Sequence, residues 1–236
     1  TNVTYVDHCL GQVLDTLREC GYEDNTLVVL LSDHGEMLGE RRQPERGGAH
    51  TKYCLYDSAE RVPLIVRWPG AGQPGRVSHA AVELIDLMPT WLDAAGVEAS
   101  PYLPGRSLRP LLEGQLPESI GWRTATLAEQ FTQATEQLGQ PRGQWAYRES
   151  RWKLIERAGA RSALYDLQDD PNEFHNLIDD PAHAAVRERL RQQLIRDVIS
   201  RAEQFPARWE PTVVMVSAAQ PNAQLTEARS GPAAPA

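Results

Sequence analysis

The sequence predicts an α/β domain followed by a small α+β subdomain, and three observations support this fold class. A helical pattern ends at Gly21 and leads through a polar turn into an apolar run at 26–31, which is the order of an α/β unit. A second strand and a second helix are predicted at 61–68 and 86–95. After residue 125, short strands follow one another before a single long helix, which indicates an α+β arrangement.

The first predicted helix covers residues 5–20. Its apolar residues recur at intervals of three and four positions, so they line one face. The run at 26–31 is almost entirely apolar, which is typical of a strand buried on both faces of a mainly parallel sheet with helices above and below it. Farther along, Asp86 is the expected N-cap of the helix at 86–95.

The second half of the chain is expected to contain surface connections, short strands and one long helix. The prolines within 98–125 indicate surface connections, and the glutamine-rich stretch at 130–143 indicates a loop. Short strands are predicted at 145–156, interrupted by a hairpin turn, and at 162–167. A long amphipathic helix is predicted at 181–204.

These elements divide the chain into three parts. Residues 1–125 are expected to form the α/β domain. Residues 126–210 are expected to form the α+β subdomain, with a short antiparallel sheet and a long helix. Residues 211–236 are rich in alanine and contain no aromatic residue, so we expect a disordered tail.

The composition limits the possible functions. Hydrophobic residues make up 41% of the 236 residues, which argues against global disorder. The net charge of −8 argues against general nucleic-acid binding, which depends on cationic contacts with phosphate. The longest apolar run, at 27–31, is too short to cross a bilayer. The cysteines Cys9, Cys20 and Cys54 are odd in number and lack CxxC spacing, so they suggest neither a disulfide framework nor a zinc knuckle.

Two features could carry chemistry. Asp33 and His34 follow the carboxyl end of the first predicted strand, where open α/β sheets bind ligands, and both side chains are ordinary metal donors. Gly35 would permit the sharp turn that lets neighbouring ligands converge. Alternatively, Asp33 caps a helix and His34 is a surface residue. Lys52 could supply a compact positive charge to an anionic substrate, or it could be a solvated surface lysine.

Several motifs together resemble the sulfatase family of the alkaline phosphatase superfamily. They are TLVVLLSDHGEMLGER, then K-x-x-x-Y-D-x-x-x-R-V-P-L-I-V, then DLMPTWLDAAGV, in the family's order. The resemblance continues through the segments 103–114, 147–156 and 163–177, so it extends from about residue 5 to residue 200. It implies an alkaline-phosphatase-like sandwich of helices around a mainly parallel sheet, followed by the small subdomain.

The resemblance also implies an activity. Sulfatases cleave sulfate esters with a formylglycine nucleophile and one divalent cation. Asp33 and His34 correspond to a metal-binding pair of the family, and Lys52 to a lysine that binds the sulfate and the leaving oxygen. Calcium is the first expectation for the cation, with magnesium, manganese or zinc as alternatives because imidazole suits manganese and zinc better. The expected substrate is a small-molecule or carbohydrate sulfate ester.

The sequence also departs from the family. It contains no C/S-x-P/A-x-R nucleophile motif and no early Asp-Asp metal pair, both of which lie in the family's N-terminal half. The chain therefore resembles the C-terminal portion of a sulfatase and is expected to be inactive alone. The interval from Asp33 to Lys52 is longer than in many members, so His50 is either an additional substrate contact or a loop residue. Oligomeric state and compartment stay open.

Two alternative functions remain. Relatives with an Asp-His pair at this point include phosphodiester and phosphonate hydrolases of the same superfamily, so the pair alone does not fix the substrate class. The other alternative is a non-catalytic sulfatase-like protein used for binding or structure. The nucleophile motif upstream of this chain would discriminate between these functions.

Overall fold

The computed structural model describes residues 2–40, 50–131 and 143–203. The predicted tail at 211–236 and most of the predicted loop at 130–143 lie outside these residues. The helices are α1 (Asn2–Glu19), α2 (Asp57–Glu60), α3 (Leu87–Ala94), α4 (Arg109–Leu112) and α5 (Ala184–Glu203). The strands are β1 (Val28–Leu31), β2 (Met37–Leu38), β3 (His50–Thr51), β4 (Leu64–Arg67), β5 (Thr126–Gln130), β6 (Gln144–Arg148), β7 (Trp152–Arg157) and β8 (Ala163–Asp166).

The first helix and first strand form where the sequence predicts them, but β1 is less buried than expected. Every residue of β1 is partly exposed, and no residue of α1 is buried. Within the described residues β1 pairs with β4 alone, and this pair is antiparallel, with Val28 opposite Arg67 and Leu31 opposite Leu64. The expectation of a strand buried on both faces is therefore wrong for the described part of the chain, which contains no parallel strand pair.

Asp86 organises the segment around α3, although not as the sequence suggests. Its side chain makes no capping hydrogen bond to α3. Instead the carboxylate is completely buried, accepts the backbone N–H groups of Glu83 and Arg106 at 2.8 Å each, and pairs with Arg123 at 2.6 Å. A 3₁₀ turn at Leu84–Asp86 precedes the helix, so the carboxylate folds back onto that turn.

The second half contains a four-stranded antiparallel sheet in the order β5-β6-β7-β8, so each strand pairs with its neighbour in sequence. The predicted strands at 145–156 and 162–167 coincide with β6, β7 and β8. No strand is predicted at β5, which forms because β6 supplies a partner along its whole length. Leu127 is the one buried residue of β5, so the burial pattern of this strand gives only a weak signal in the sequence.

The long C-terminal helix forms where it is predicted, and it packs on one face of this sheet. Its start is a 3₁₀ turn at Pro181–His183, and the Asp180 side chain caps this turn by accepting the N–H of Ala182. Leu190 and Leu194 are buried with apolar residues of the four strands. Among the described helices, none is long and apolar enough to span a membrane.

Hydrogen bonds from other parts of the chain occupy backbone groups at both edges of the four-stranded sheet. At the β5 edge, the N–H of Leu127 donates to the Glu83 carboxylate at 2.6 Å. At the β8 edge, the N–H of Leu164 donates to Oδ1 of Asn176 at 3.0 Å, and the carbonyl of Leu164 accepts the N–H of Leu177 at 2.8 Å. Backbone groups that would otherwise face solvent are thus already bonded within the chain.

Candidate metal and anion site

Asp33 and His34 lie together immediately after β1. Their side chains are 84% and 40% exposed, and Asp33 Oδ2 lies 3.5 Å from His34 Nε2. The other carboxylate oxygen, Oδ1, accepts the backbone N–H of His34 at 3.0 Å and so fixes the carboxylate beside the ring. The alternative in which Asp33 caps a helix does not hold, because no helix begins here.

A hydrogen bond to the imidazole of His34 determines which of its two ring nitrogens is free to bind a metal ion. Nδ1 of His34 lies 2.8 Å from the carbonyl oxygen of Gly35. Because a carbonyl can only accept, Nδ1 carries the proton of the neutral ring, and Nε2 keeps its lone pair beside Asp33 Oδ2. A carbonyl bonded to the remote nitrogen is the usual support of a metal-binding histidine. One oxygen and one nitrogen donor therefore fit part of a divalent-cation site.

Position 35 needs a glycine because of a close contact, and not because of the sharp turn expected from the sequence. Its φ is not among the positive values of the chain, so no left-handed turn is involved. Instead its N–H donates to the carbonyl of Ala59 at 2.8 Å, and a Cβ built at Gly35 would lie 2.1 Å from the carbonyl oxygen of Ser58. The backbone after the Asp-His pair thus rests directly on α2.

Gly35→Ala is expected to destabilise the protein by about 3 kcal/mol, because the new methyl group meets backbone that cannot move aside as a side chain would. Denaturant unfolding measures this change. The matched control is Gly11→Ala in the middle of α1, where a Cβ has nothing within 4 Å and a helical alanine adds up to about 1 kcal/mol of stability. Equal unfolding midpoints for the Gly35 variant and wild type would contradict the close approach.

Lys52 follows a short hairpin that starts near the Asp-His pair. In the β2–β3 pair Leu38 lies opposite His50 and Met37 opposite Thr51, so the chain returns toward Asp33 as it approaches Lys52. Lys52 is exposed. The backbone of His50 lies in β3, one pairing position farther from Asp33 than Thr51; its side chain is outside the described part. The structure thus brings Asp33 and His34 into contact and returns Lys52 toward them.

The described residues contain no group of three or more His, Cys, Asp or Glu side chains that could hold a metal ion. Asp33 and His34 are therefore a partial donor set within this part of the chain. A complete site would need donors from elsewhere, because protein sites for Ca²⁺ or Zn²⁺ ordinarily contain at least three protein ligands.

One buried charged residue next to α2 is not predicted from the sequence. Lys153 on β7 is completely buried and pairs with Asp57 and Glu60 of α2. The available signal was a lysine inside the otherwise apolar centre of a predicted strand, WKLI, since lysine is almost never fully buried unless it is paired.

Comparison with known proteins gives one family. Residues 46–200 match the model of the family "N-sulphoglucosamine sulphohydrolase, C-terminal". An N-acetylglucosamine-6-O-sulfatase of Bacteroides thetaiotaomicron is 32% identical over 194 residues, which cover 81% of this chain and 33% of that protein.

Two solved structures are similar in both sequence and fold. The phosphonate monoester hydrolase from Silicibacter pomeroyi has 38% identity and a TM-score of 0.73, over 83% of this chain and 39% of that one. A structure in complex with its substrate, D-glucosamine-2-N,6-O-disulfate, has 31% identity and a TM-score of 0.75, over 85% of this chain and 40% of that one. This chain thus spans between a third and two fifths of the length of these three relatives.

Proposed function

The chain belongs to the sulfatase family and matches its C-terminal portion, and from this premise we propose that it is part of a metal-dependent sulfuric ester hydrolase. The fold neighbours confirm the predicted alkaline-phosphatase-like α/β class. The observation that carries the proposal is the 3.5 Å approach of Asp33 Oδ2 to His34 Nε2 after β1, with Lys52 returned toward them by the antiparallel β2–β3 pair. The proposal places a formylglycine nucleophile upstream, so this chain alone would be inactive.

Asp33 and His34 would contribute two ligands to one divalent cation. When bound, such a cation supplies Lewis-acid polarisation of the ester oxygens. The Asp33 carboxylate favours calcium or magnesium, whereas the Nε2 of His34 favours manganese or zinc, and calcium is our first choice. The Gly35 carbonyl holds the ring of His34 in the orientation and tautomer that ligation needs.

Lys52 would act on the substrate. Its ammonium group is exposed at the end of the hairpin, where it can bind an oxygen of the sulfate and the leaving oxygen. Negative charge increases on the leaving oxygen as the ester bond breaks, so a fixed cation there stabilises the transition state more than the ground state. His50 remains a candidate for an additional substrate contact.

We propose a sulfated carbohydrate as the substrate class. The support is that one relative is an N-acetylglucosamine-6-O-sulfatase and another binds a glucosamine disulfate as its substrate. A second candidate, a phosphonate monoester or phosphodiester hydrolase, is favoured by the 38% identity to the Silicibacter enzyme, which exceeds that of the disulfate-bound structure. The two reactions differ in the central atom of the ester, and nothing about Asp33, His34 or Lys52 excludes either.

The test compares substrates on the complete protein. We expect N-acetylglucosamine 6-sulfate and an aryl sulfate to be hydrolysed with kcat/KM at least about tenfold above that for an aryl phosphonate monoester, since the pocket would be complementary to the sulfate transition state. The reverse order would establish the second candidate. Activity on none of these esters, with the protein folded and supplied with cation, would favour a non-catalytic sulfatase-like role.

A further inference from the structure

A cluster of buried charges joins the Lys52 segment to the four-stranded sheet. The Nζ of Lys153 lies 2.8 Å from Asp57, 2.8 Å from Glu60 and 3.0 Å from Glu173, and its side chain is completely buried. A charge in this position is tolerated only when its partners are well placed, because it has given up its hydration. The three carboxylates come from α2 and from the segment after β8, so Lys153 fastens both to β7.

Asp57 is held from three directions. Lys153 binds Oδ1, Arg148 on β6 reaches the carboxylate at 3.1 Å, and the backbone N–H of Asp57 donates to Oε2 of Glu173 at 2.7 Å. Glu173 has a φ of 57°, in the left-handed region that a residue other than glycine rarely adopts. A strained backbone of this kind persists only where its surroundings over-determine it, and here it orients the carboxylate toward Asp57.

The cluster is linked through the backbone to both parts of the candidate site, which are Lys52 and the pair formed by Asp33 and His34. Only five positions separate Lys52 from Asp57, and the last three residues before Asp57 are buried: Cys54, Leu55 and Tyr56. On the other side, Gly35 rests on α2 through its N–H bond to Ala59. A displacement of α2 would therefore move Lys52 and the segment that carries Asp33 and His34.

We propose that this cluster positions Lys52 for ester cleavage, so that Lys153 and Glu60 are positioning residues of the site although neither touches substrate. The inference rests on the function proposed above. It predicts that a change confined to the charge of Glu60 alters catalysis through Lys52 and not through the overall fold.

The charge balance of the cluster depends on pH. Three carboxylates face two cations, and the groups around Glu60 are Asp57 and Cys54 on its own segment, Lys153 on β7, Arg148 on β6 and Glu173 after β8. Burial raises the pKa of the Glu60 carboxyl to about 7, partly offset by Lys153 and reinforced by Asp57 and Glu173. Loss of the Glu60 proton above about pH 7 therefore adds one negative charge to the cluster.

The sign of the effect follows from this shift. A carboxyl whose pKa is raised on folding binds its proton more tightly in the folded state, so its stabilisation is fully present below the ordinary value of 4.5 and is lost as pH rises to about 7. The packing of α2 should consequently loosen above neutral pH. Glu60→Gln keeps the shape of the protonated acid and removes its titration, so it should preserve the low-pH arrangement throughout.

The experiment measures kcat/KM of the complete protein from about pH 6 to about pH 8.5. For the wild type we expect a decline of about three- to tenfold above pH 7, and for Glu60→Gln no such decline. The control is Glu156→Gln on β7, whose carboxylate is similarly shielded but binds Arg191 of α5 and Ser162, away from α2. This control should keep the wild-type profile.

A second pair of variants tests whether the effect acts through Lys52. In a Lys52→Ala background, Glu60→Gln should leave residual activity unchanged at every pH, because the group being positioned is gone. Equal pH profiles for wild type and Glu60→Gln, or an undiminished Glu60 effect in the Lys52→Ala background, would overturn the inference alone. A folded wild type that hydrolyses no sulfate or phosphonate ester would overturn the proposed function, and the positioning role with it.

Discussion

Asp33→Ala in the complete protein should lower kcat/KM for sulfate esters by about a thousandfold or more, because it removes the carboxylate donor beside His34. The loss should appear without a loss of stability. The side chain is 84% exposed, and its one hydrogen bond is to the adjacent backbone, so the fold does not depend on it. Ester hydrolysis and thermal unfolding, measured on the same preparation, separate these effects.

Direct measurement of cation binding gives the Asp33 prediction a readout that is independent of turnover. We expect titration calorimetry with calcium or manganese to show about a tenfold or greater loss of affinity in Asp33→Ala. The matched control is Asp24→Ala, which removes an exposed carboxylate at the opposite end of β1 and should change neither property. Wild-type affinity and turnover in Asp33→Ala would remove this residue from the site.

Lys52→Ala should lower kcat by about a hundred- to thousandfold, as expected when one fixed charge at the developing anion is lost. Because the side chain is exposed, unfolding should be unaffected. Lys52→Arg is the informative comparison, since it keeps the charge but replaces a compact ammonium with a planar guanidinium, and it should recover activity only in part. Steady-state kinetics on an aryl sulfate, with kcat and KM resolved, would make the measurement.

Near-native turnover in Lys52→Ala would contradict its role, whatever the result for Asp33. Loss of activity in Lys52→Ala together with full recovery in Lys52→Arg would also be informative. It would show that the residue contributes charge alone and does not bind one oxygen in a defined geometry.

The elements with strong local patterns could be predicted from the sequence. The apolar stripe of α1, the run that becomes β1 and the Asp-His pair after it all lie within the first 34 residues. The resemblance of ordered motifs to a family then supplied the roles of Asp33, His34 and Lys52, which spacing alone left open. These roles are predictions that the kinetic experiments above address.

The features that escaped prediction depend on partners distant in sequence. Lys153 is understood only with Asp57, which lies 96 positions earlier, and Asp86 only with Arg123, 37 positions later. A sequence pattern shows which residue types are present but not which distant group will satisfy a buried charge. Gly35 illustrates the same limit, because the atom that excludes a side chain there belongs to Ser58.

The covered edges of the four-stranded sheet have a consequence for self-association. An open edge strand offers unpaired backbone groups to any other extended chain and so invites aggregation. Here the Glu83 carboxylate occupies the N–H of Leu127 on β5, and Asn176 occupies the N–H of Leu164 on β8. A second copy that paired with the sheet at Leu127 or Leu164 would first have to displace these side chains, which disfavours edge-to-edge association at these two positions.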